Sequence, residues 1–308
     1  MNNTLVPPQS FRIETSTGVA EWRTLEWDSE QFGMPAARLD RLAVPGSYTL
    51  ARAHKRKLLS LVLGQCLESG IRHLTARVDT GDFSTIHALE EHGFELLDGI
   101  QSFLLSLNPI EASTPNDAST PNDASNPTEA SNPSVASNPT EAFNPSVASN
   151  PNAAPAPART RVFEPGDLPQ VLAIGRTAFV FDRFHADPQL SPAIGDRVNE
   201  SWTRNCCLGI AADVTILAVD EGRISSFVAC RADREARRGS IILVATAEWA
   251  RGRGMARRAS LAALHWFADQ RMESVEVGTQ FRNIPAARLF QSLGFRLFQT
   301  ALTFRRIL

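Results

Sequence analysis

SIILVATAEWARGRGMARRASLAALHW, residues 240–266, reads as a strand, a glycine loop and a helix. The run 240–246 is apolar and β-branched, and MARRASLAALHWFADQR (255–271) carries apolar residues at helical spacing. Met255, Ala259, Ala262 and Trp266 fall on one stripe, with Leu261 and Leu264 beside it, as a helix packed on a sheet requires. Between strand and helix, Arg251-Gly252-Arg253-Gly254-Met255-Ala256 presents successive backbone N–H groups and a helix N-terminus to an anion. It is not a Walker loop, which needs Gly-Lys-Ser/Thr at its end, nor a full dinucleotide fingerprint, because Arg257 stands where the third glycine belongs. Taken alone, it is equally compatible with a surface turn holding two glycines.

The flanking sequence extends the pattern. SVEVGT (274–279) alternates as a strand. Asn283-Ile284-Pro285 then opens a helix, asparagine capping free amides and proline fitting the first turn. Gly294 closes it in a left-handed position that brings Phe295 back onto Phe290. Upstream, a strand at 160–163 leads to a helix capped by Asp167, and ILAVDEGRISSFVAC (216–230) reads as a hairpin turning at DEGR. The N-terminal part repeats the layout: a helix at 58–69, the strand RHLTARV (72–78), and a helix from Asp82 to His92 ended by Gly93-Phe94. Both halves finish on a strand, ELLDGIQSFLLSL (95–107) and RLFQTALTFRRIL (296–308). Where the second half has its glycine loop, the first has LARAHKRK (50–57), so only the second is expected to cradle phosphate.

A chain of 308 residues with 43% hydrophobic and 21% charged residues fits about two ordinary domains. They are separated by seven copies of a hexapeptide of the ASNPTE kind (112–153), each holding proline and together holding one aromatic residue, and then by APAPA (154–158). Such a segment cannot bury enough apolar surface to offset its ordering entropy. The expected organisation is therefore a partial N-terminal domain (1–110), a disordered repeat linker (111–158) and a complete C-terminal domain (159–308). Net charge is −2; the repeat carries four acids and no bases, leaving the folded parts slightly basic. That is too little for a nucleic-acid partner, whereas Arg237, Arg238, Arg251, Arg253, Arg257 and Arg258 suit a compact phosphorylated ligand. No apolar run reaches the length of a membrane span and the start lacks a signal-peptide build, so the expected setting is the cytoplasm, without a membrane partner. Cys66, Cys206, Cys207 and Cys230 show no metal-ligand spacing; no metal is expected, and they read as small core residues.

RGRGMA (251–256) and VGTQFRNIPAARLFQSLGF (277–295) resemble the GNAT superfamily of acyl-CoA-dependent N-acyltransferases. The resemblance implies a GNAT acyltransferase fold, α/β with a mixed sheet, and acetyl-CoA as acyl donor. It places the pantetheine and thioester on the backbone of Val244, Ala245 and Thr246 and the pyrophosphate on Arg251 to Ala256, with Asn283 and Phe290 beside the cofactor. RFHADPQLSPAIGDRVNESWTRN (183–205) and LEWDSEQFGMPAARL (25–39) are similar to the dTDP-fucosamine acetyltransferase group. Those enzymes put a partial unit ahead of a full one and acetylate the 4-amino group of a nucleotide-linked dideoxy sugar. The tether is not part of their pattern.

Acyl transfer to an amine needs a neutral nitrogen, an aligned thioester and a proton for the leaving thiolate. The family often supplies that proton from a tyrosine seven residues after the capping asparagine; here the position is Phe290, which has none to give. A thiol of pKa about 8.5 can leave unaided or take the proton shed by the amine. His185 and Glu248 are the candidate catalytic groups for deprotonation, with Asp187 as a further carboxylate; Arg183 and Asp187 are the candidate substrate contacts. Three readings stay open: an acetyltransferase for a small amine, foremost a sugar nucleotide; the same chemistry on a peptide, protein or antibiotic amine; and a non-catalytic acyl-CoA-binding module. A homodimer is compatible with each.

Overall fold

The computed structural model describes residues 8–107 and 159–308; the expected linker lies outside them. The first stretch holds β1 (Ser10–Thr15), β2 (Gly18–Thr24), α1 (Glu26–Phe32), β3 (Ala36–Ala43), α2 (Tyr48–Glu68), β4 (His73–Asp79), α3 (Phe83–Glu91) and β5 (Glu95–Ser106). The second opens with β6 (Arg159–Val162), α4 (Leu168–Ala178), α5 (Arg183–Ala186) and α6 (Pro192–Cys207). It continues with β7 (Val214–Asp220), β8 (Arg223–Asp233), β9 (Arg238–Thr246), α7 (Met255–Asp269), β10 (Ser274–Gln280), α8 (Ile284–Ser292) and β11 (Arg296–Ile307). No helix among the described residues is long and apolar enough to cross a membrane.

All eleven strands form one sheet in the order β1-β2-β3-β4-β11-β5-β10-β9-β8-β7-β6. The two units exchange their last strands. β5 leaves the N-terminal unit to pair with β10, and β11 leaves the C-terminal unit to pair with β4; the two exchanged strands pair antiparallel with each other at the seam. Burial follows the exchange. Phe103 and Leu105 of β5 join the core under α7 and α8, with Val275, Phe267 and Phe290, while Phe304 of β11 joins the core under α2 and α3, with Leu74 and Leu89.

Each unit also parts two parallel strands at a bulge. β9 pairs with β10 only through Arg238–Ile241, and Ile242, the next residue, is extra in the pairing of β9 with β8. The bulged strand bends and its free half swings away from β10, opening a wedge between the C-terminal ends of the two. β3 and β4 repeat this, pairing only through Ala36–Leu39 with Asp40 as the bulge.

Local expectations hold where side chains cap turns. Asn283 accepts from the Ala286 amide (3.2 Å) and Asp82 from the Thr85 amide (3.0 Å). Phe295 N–H reaches Phe290 O (3.1 Å), with the two rings 5.9 Å apart. At DEGR, Glu221 and Gly222 both take positive φ, as a two-residue hairpin turn demands. Cys66, Cys206 and Cys230 are buried and Cys207 half-buried, and all four are free thiols.

Four expectations are corrected. Helix α2 begins at Tyr48, ten residues earlier than the apolar run at 58–69 indicated, because LARAHKRK continues the helix, burying Ala51 and Lys55 on the face that Leu58 and Leu59 extend. The buried stripe of α7 runs through Met255, Ala259, Ala263, Leu264 and Phe267, while Ala262 and Trp266 are half-buried, because Phe267 fits over Gly239, where a Cβ would collide with its ring. Asp167 does not cap α4; it pairs with Arg161 (2.7 Å) and accepts from the Glu164 amide (2.8 Å) within a short 3-10 turn. The six arginines do not cluster. Arg237 and Arg238, paired with Glu273 and Glu276, stand at the start of β9, about 25 Å of strand away from the loop at its other end.

Candidate active site

The glycine loop follows the free half of β9. Gly252 (φ 73°) and Gly254 (φ 75°) are both left-handed, a conformation that glycine adopts without steric cost. No side chain caps α7, so the amides of its first turn stay open toward the loop. Arg253 pairs with Asp220 (3.0 Å), and Arg223 stacks over Trp249 (4.3 Å), so charge is held on one rim of the loop. On β9 itself, Ala247 N–H donates to Ser225 O (2.9 Å). Strand alternation then turns the Ala245 amide toward β8 and the amides of Val244 and Thr246 toward the wedge. Of the three backbone positions expected to hold an acyl chain, two turn their amides toward the wedge.

Asn283 spends its side-chain oxygen on the cap of α8. Phe290 is only 2% exposed and packs between Phe103 and Phe295 at about 6 Å. It is a core residue and presents no surface to a ligand. Glu248 is exposed just beyond β9, and its side chain makes no hydrogen bond or ion pair among the described residues.

The segment expected to meet substrate joins the units instead. Arg183 Nη2 donates to Asp28 Oδ2 (2.7 Å), and Phe184 packs on Phe32 at 5.8 Å. The two stretches 183–205 and 25–39 thus form one contact, with Ala36, Leu190 and Val198 completing its core. Asp187, 2% exposed, accepts from Arg305 (2.9 Å) and the Gln189 amide (2.9 Å) and lies 3.2 Å from His73 Nε2. Burial pulls its carboxyl upward, but these partners outweigh burial and hold it below the usual range. Asp187 therefore has no contact left for a substrate.

His185 has both ring nitrogens on carboxylates, Nδ1 with Asp182 (2.9 Å) and Nε2 with Asp196 (3.2 Å). Its ring rests on Gly195, where a Cβ would collide. Burial opposes protonation, yet the two carboxylates prevail and the pKa is raised. A ring so held has no free nitrogen for an incoming proton.

The N-terminal wedge is filled differently. A cavity of about 200 Å³ lies between Leu39–Leu42 and Ala76–Asp79 and reaches Asp82. There the buried Lys55 ammonium bonds Asp82 (2.9 Å) and Ser84 (2.8 Å). Burial raises the Asp82 carboxyl, but bonds from Thr85, Lys55 and Ser84 hold it at about 2. No glycine loop faces this wedge.

Residues 180–295 match the model of the Acetyltransferase (GNAT) family. Over nearly the whole chain the architecture is similar to solved structures: a tandem GNAT protein from the clavulanic acid biosynthesis pathway (TM-score 0.53, 14% identity, 98% of this chain and 84% of that one), and a GCN5-related N-acetyltransferase from Kribbella flavida (TM-score 0.53, 16% identity, 96% and 89%). The fold is the GNAT fold. Among curated proteins, the spore coat polysaccharide biosynthesis protein SpsD of Bacillus subtilis (strain 168) is 29% identical over 138 residues, 44% of this chain and 46% of that protein. The match thus spans less than half of that curated relative. Within the GNAT fold, the bulged β9, the loop 251–256 and α7 belong to the matched region, whereas the seam strand β5 comes from outside it.

Asp98, on that seam strand, went unnoticed in the sequence. It is 6% exposed, and burial lifts its carboxyl to about 6 against the opposing Gly99 amide and Arg282. No local pattern marks it, because its setting is made by β11, 205 residues later.

Proposed function

We propose that the protein transfers an acetyl group from acetyl-CoA to a primary amine, and that this amine belongs to a nucleotide-linked amino sugar. The observation that carries the first part is the wedge that opens where β9 leaves β10 at the Ile242 bulge, with the loop Arg251–Ala256 at its mouth. Backbone donors line both places. The Val244 and Thr246 amides suit the amide and thioester groups of an extended pantetheine arm, and the amides from Gly252 to Ala256 suit its pyrophosphate. Arg251 adds positive charge there, and Arg253 is tied to Asp220.

In transfer, the neutral amine forms a bond to the thioester carbon as the carbon–sulfur bond breaks. Amides fixed on β9 polarise the carbonyl without reorganising. With Phe290 sealed in the core, the thiolate takes the second proton shed by the nitrogen, a route its pKa of about 8.5 allows. The sugar acceptor is supported by the segments at 25–39 and 183–205 and by the likeness to a polysaccharide biosynthesis protein. Thiol release from acetyl-CoA, measured against nucleotide-linked amino sugars, peptides and aminoglycosides, tests both parts. Release with none of them, despite acetyl-CoA binding, would leave a binding module.

A further inference from the structure

A row of side chains across the seam is used by none of these steps. Thr303 of β11 stands opposite Arg77 of β4 on one side and Asp98 of β5 on the other. Directly opposed residues point to the same face. Their alternating neighbours Ala76, Val78, Phe304 and Phe103 fill the cores under α2, α3, α7 and α8, so the row lies on the other face, where α5 packs against β5.

Two groups in this row are buried without a partner. Asp98 Oδ1 accepts from the Gly99 amide (2.8 Å), but Oδ2 has no hydrogen bond; Thr303, 2% exposed, has none at Oγ1. Unsatisfied buried polar atoms are costly and uncommon, and a carboxylate oxygen beside a hydroxyl calls for a donor from outside the chain. The charges around Asp98 are Arg77 from β4, Arg282 from the turn after β10, and Asp182 at the cap of α5, beside Arg183. Arg183 is bound to Asp28, and Arg305, further along β11, to Asp187 and Glu95. The side chains of Arg77 and Arg282 make no hydrogen bond or ion pair among the described residues.

The row adjoins the acyl site. Phe281 N–H donates to Gly99 O (2.8 Å), and the Phe281 ring lies where a Cβ on Gly99 would be. The missing side chain lets the chain leaving β10 close on β5, which sets Arg282 beside Asp98 at the end of the strand that walls the wedge.

We propose that this row is the acceptor subsite: Asp98 holds the acceptor's ammonium and takes its proton, while Arg77 and Arg282 hold a phosphate group on the same molecule. This rests on the acetyl-transfer reading. The ammonium proton moves to Asp98 Oδ2, and the freed lone pair forms the carbon–nitrogen bond as the carbon–sulfur bond breaks. The remaining surplus proton on nitrogen goes to the thiolate, and Asp98 returns its own proton to water. A carboxylate held at about 6 is a better base than an ordinary aspartate and is still ionised at neutral pH.

Calorimetric titration of the full chain, with CoA present, uses glucosamine 6-phosphate as probe and glucosamine and glucose 6-phosphate as its single-charge partners. The probe is expected to bind more tightly than either partner. Asp98→Asn and Arg282→Ala should each weaken it about tenfold or more, and Glu235→Gln, in the turn between β8 and β9, should not. As pH drops below about 6, affinity should fall more steeply in the parent than in Asp98→Asn, because the phosphate loses its second charge in both while only the parent also loses the carboxylate. Asparagine keeps the shape and removes a buried charge, so the variant should melt no lower than the parent at pH 7. A probe that fails to outbind its partners, or whose affinity both substitutions leave unchanged, overturns the proposal. CoA titrated alone into the same protein tests the acetyl-transfer reading separately: its failure to bind sinks that reading whatever the probe does.

Discussion

Asp28 and Arg183, 155 residues apart, meet at 2.7 Å and tie α1 of the first unit to α5 of the second. A second tie lies deeper, where Asp187 holds Arg305 and faces His73. The two differ in burial, and burial decides their worth. The Arg183 side chain is 24% exposed and keeps access to water, whereas those of Asp187 and Arg305 are 1% and 3% exposed.

Asp187→Ala leaves the Arg305 guanidinium buried and short of a partner, which costs about 3 to 5 kcal/mol. Asp28→Ala should cost about 1 kcal/mol or less. Urea unfolding of the full chain measures both. Equal losses would show that the deeper tie is not what holds the seam.

The exchange of β5 and β11 makes each unit incomplete alone. A fragment of 159–308 lacks the strand between β10 and β11 and exposes Phe290, Phe295 and Val275, so it should be aggregated or molten. Adding a separate 1–107 fragment should restore a cooperative melt. A well-folded 159–308 fragment would show that β11 can pair with β10 directly.

The raised pKa of His185 fixes the sign of a pH effect. The folded state binds the proton more tightly than the unfolded chain, so the cluster's stabilisation is complete below the unfolded value of about 6.5 and is lost as pH rises through the folded one. The stability gap between the parent and His185→Gln should therefore be larger at pH 5.5 than at pH 8.5. A gap that widens with pH would mean that the ring is held neutral.

Phe290→Tyr adds a hydroxyl between Phe103 and Phe295, where no acceptor is at hand. It should cost about 1 to 3 kcal/mol and leave the pH profile of kcat unaltered. A faster enzyme with a new alkaline limb would place this side chain at the cofactor sulfur after all.

Much of the fold was legible because its signals are local. Glycine at φ > 0, asparagine and aspartate caps, and alternation in SVEVGT declare themselves within a few residues, and so did the loop 251–256. SFRIET alternates as a strand does, so β1 is legible there, whereas EWDSEQF offers only Trp27 and Phe32 to a helical stripe. The exchanged strands were recognised as strands, but their places were not: Phe103 and Phe304 are apolar on whichever sheet they complete. The same limit governed the site. Asp187 and His185 sit in a polar loop that looks accessible, and only the fold shows their partners to be His73, Arg305, Asp182 and Asp196. Asp98 looks like any strand aspartate until β11 and α5 cover it.

The proposed function stands on the loop Arg251–Ala256, at the mouth of the β9–β10 wedge, holding the pyrophosphate of acetyl-CoA. Gly254 has open space around it but lies at φ 75°, so Gly254→Asp strains the loop by about 1 kcal/mol while setting a negative charge within reach of the phosphates, and Gly254→Asn carries the same strain without the charge. Repulsion at about 4 Å in a partly screened site amounts to a few kcal/mol, or roughly a hundredfold in affinity. Direct titration of the full chain with acetyl-CoA should show tight binding in the parent and that loss in Gly254→Asp relative to Gly254→Asn, the two variants melting alike. Equal affinity in the two variants would contradict the assignment.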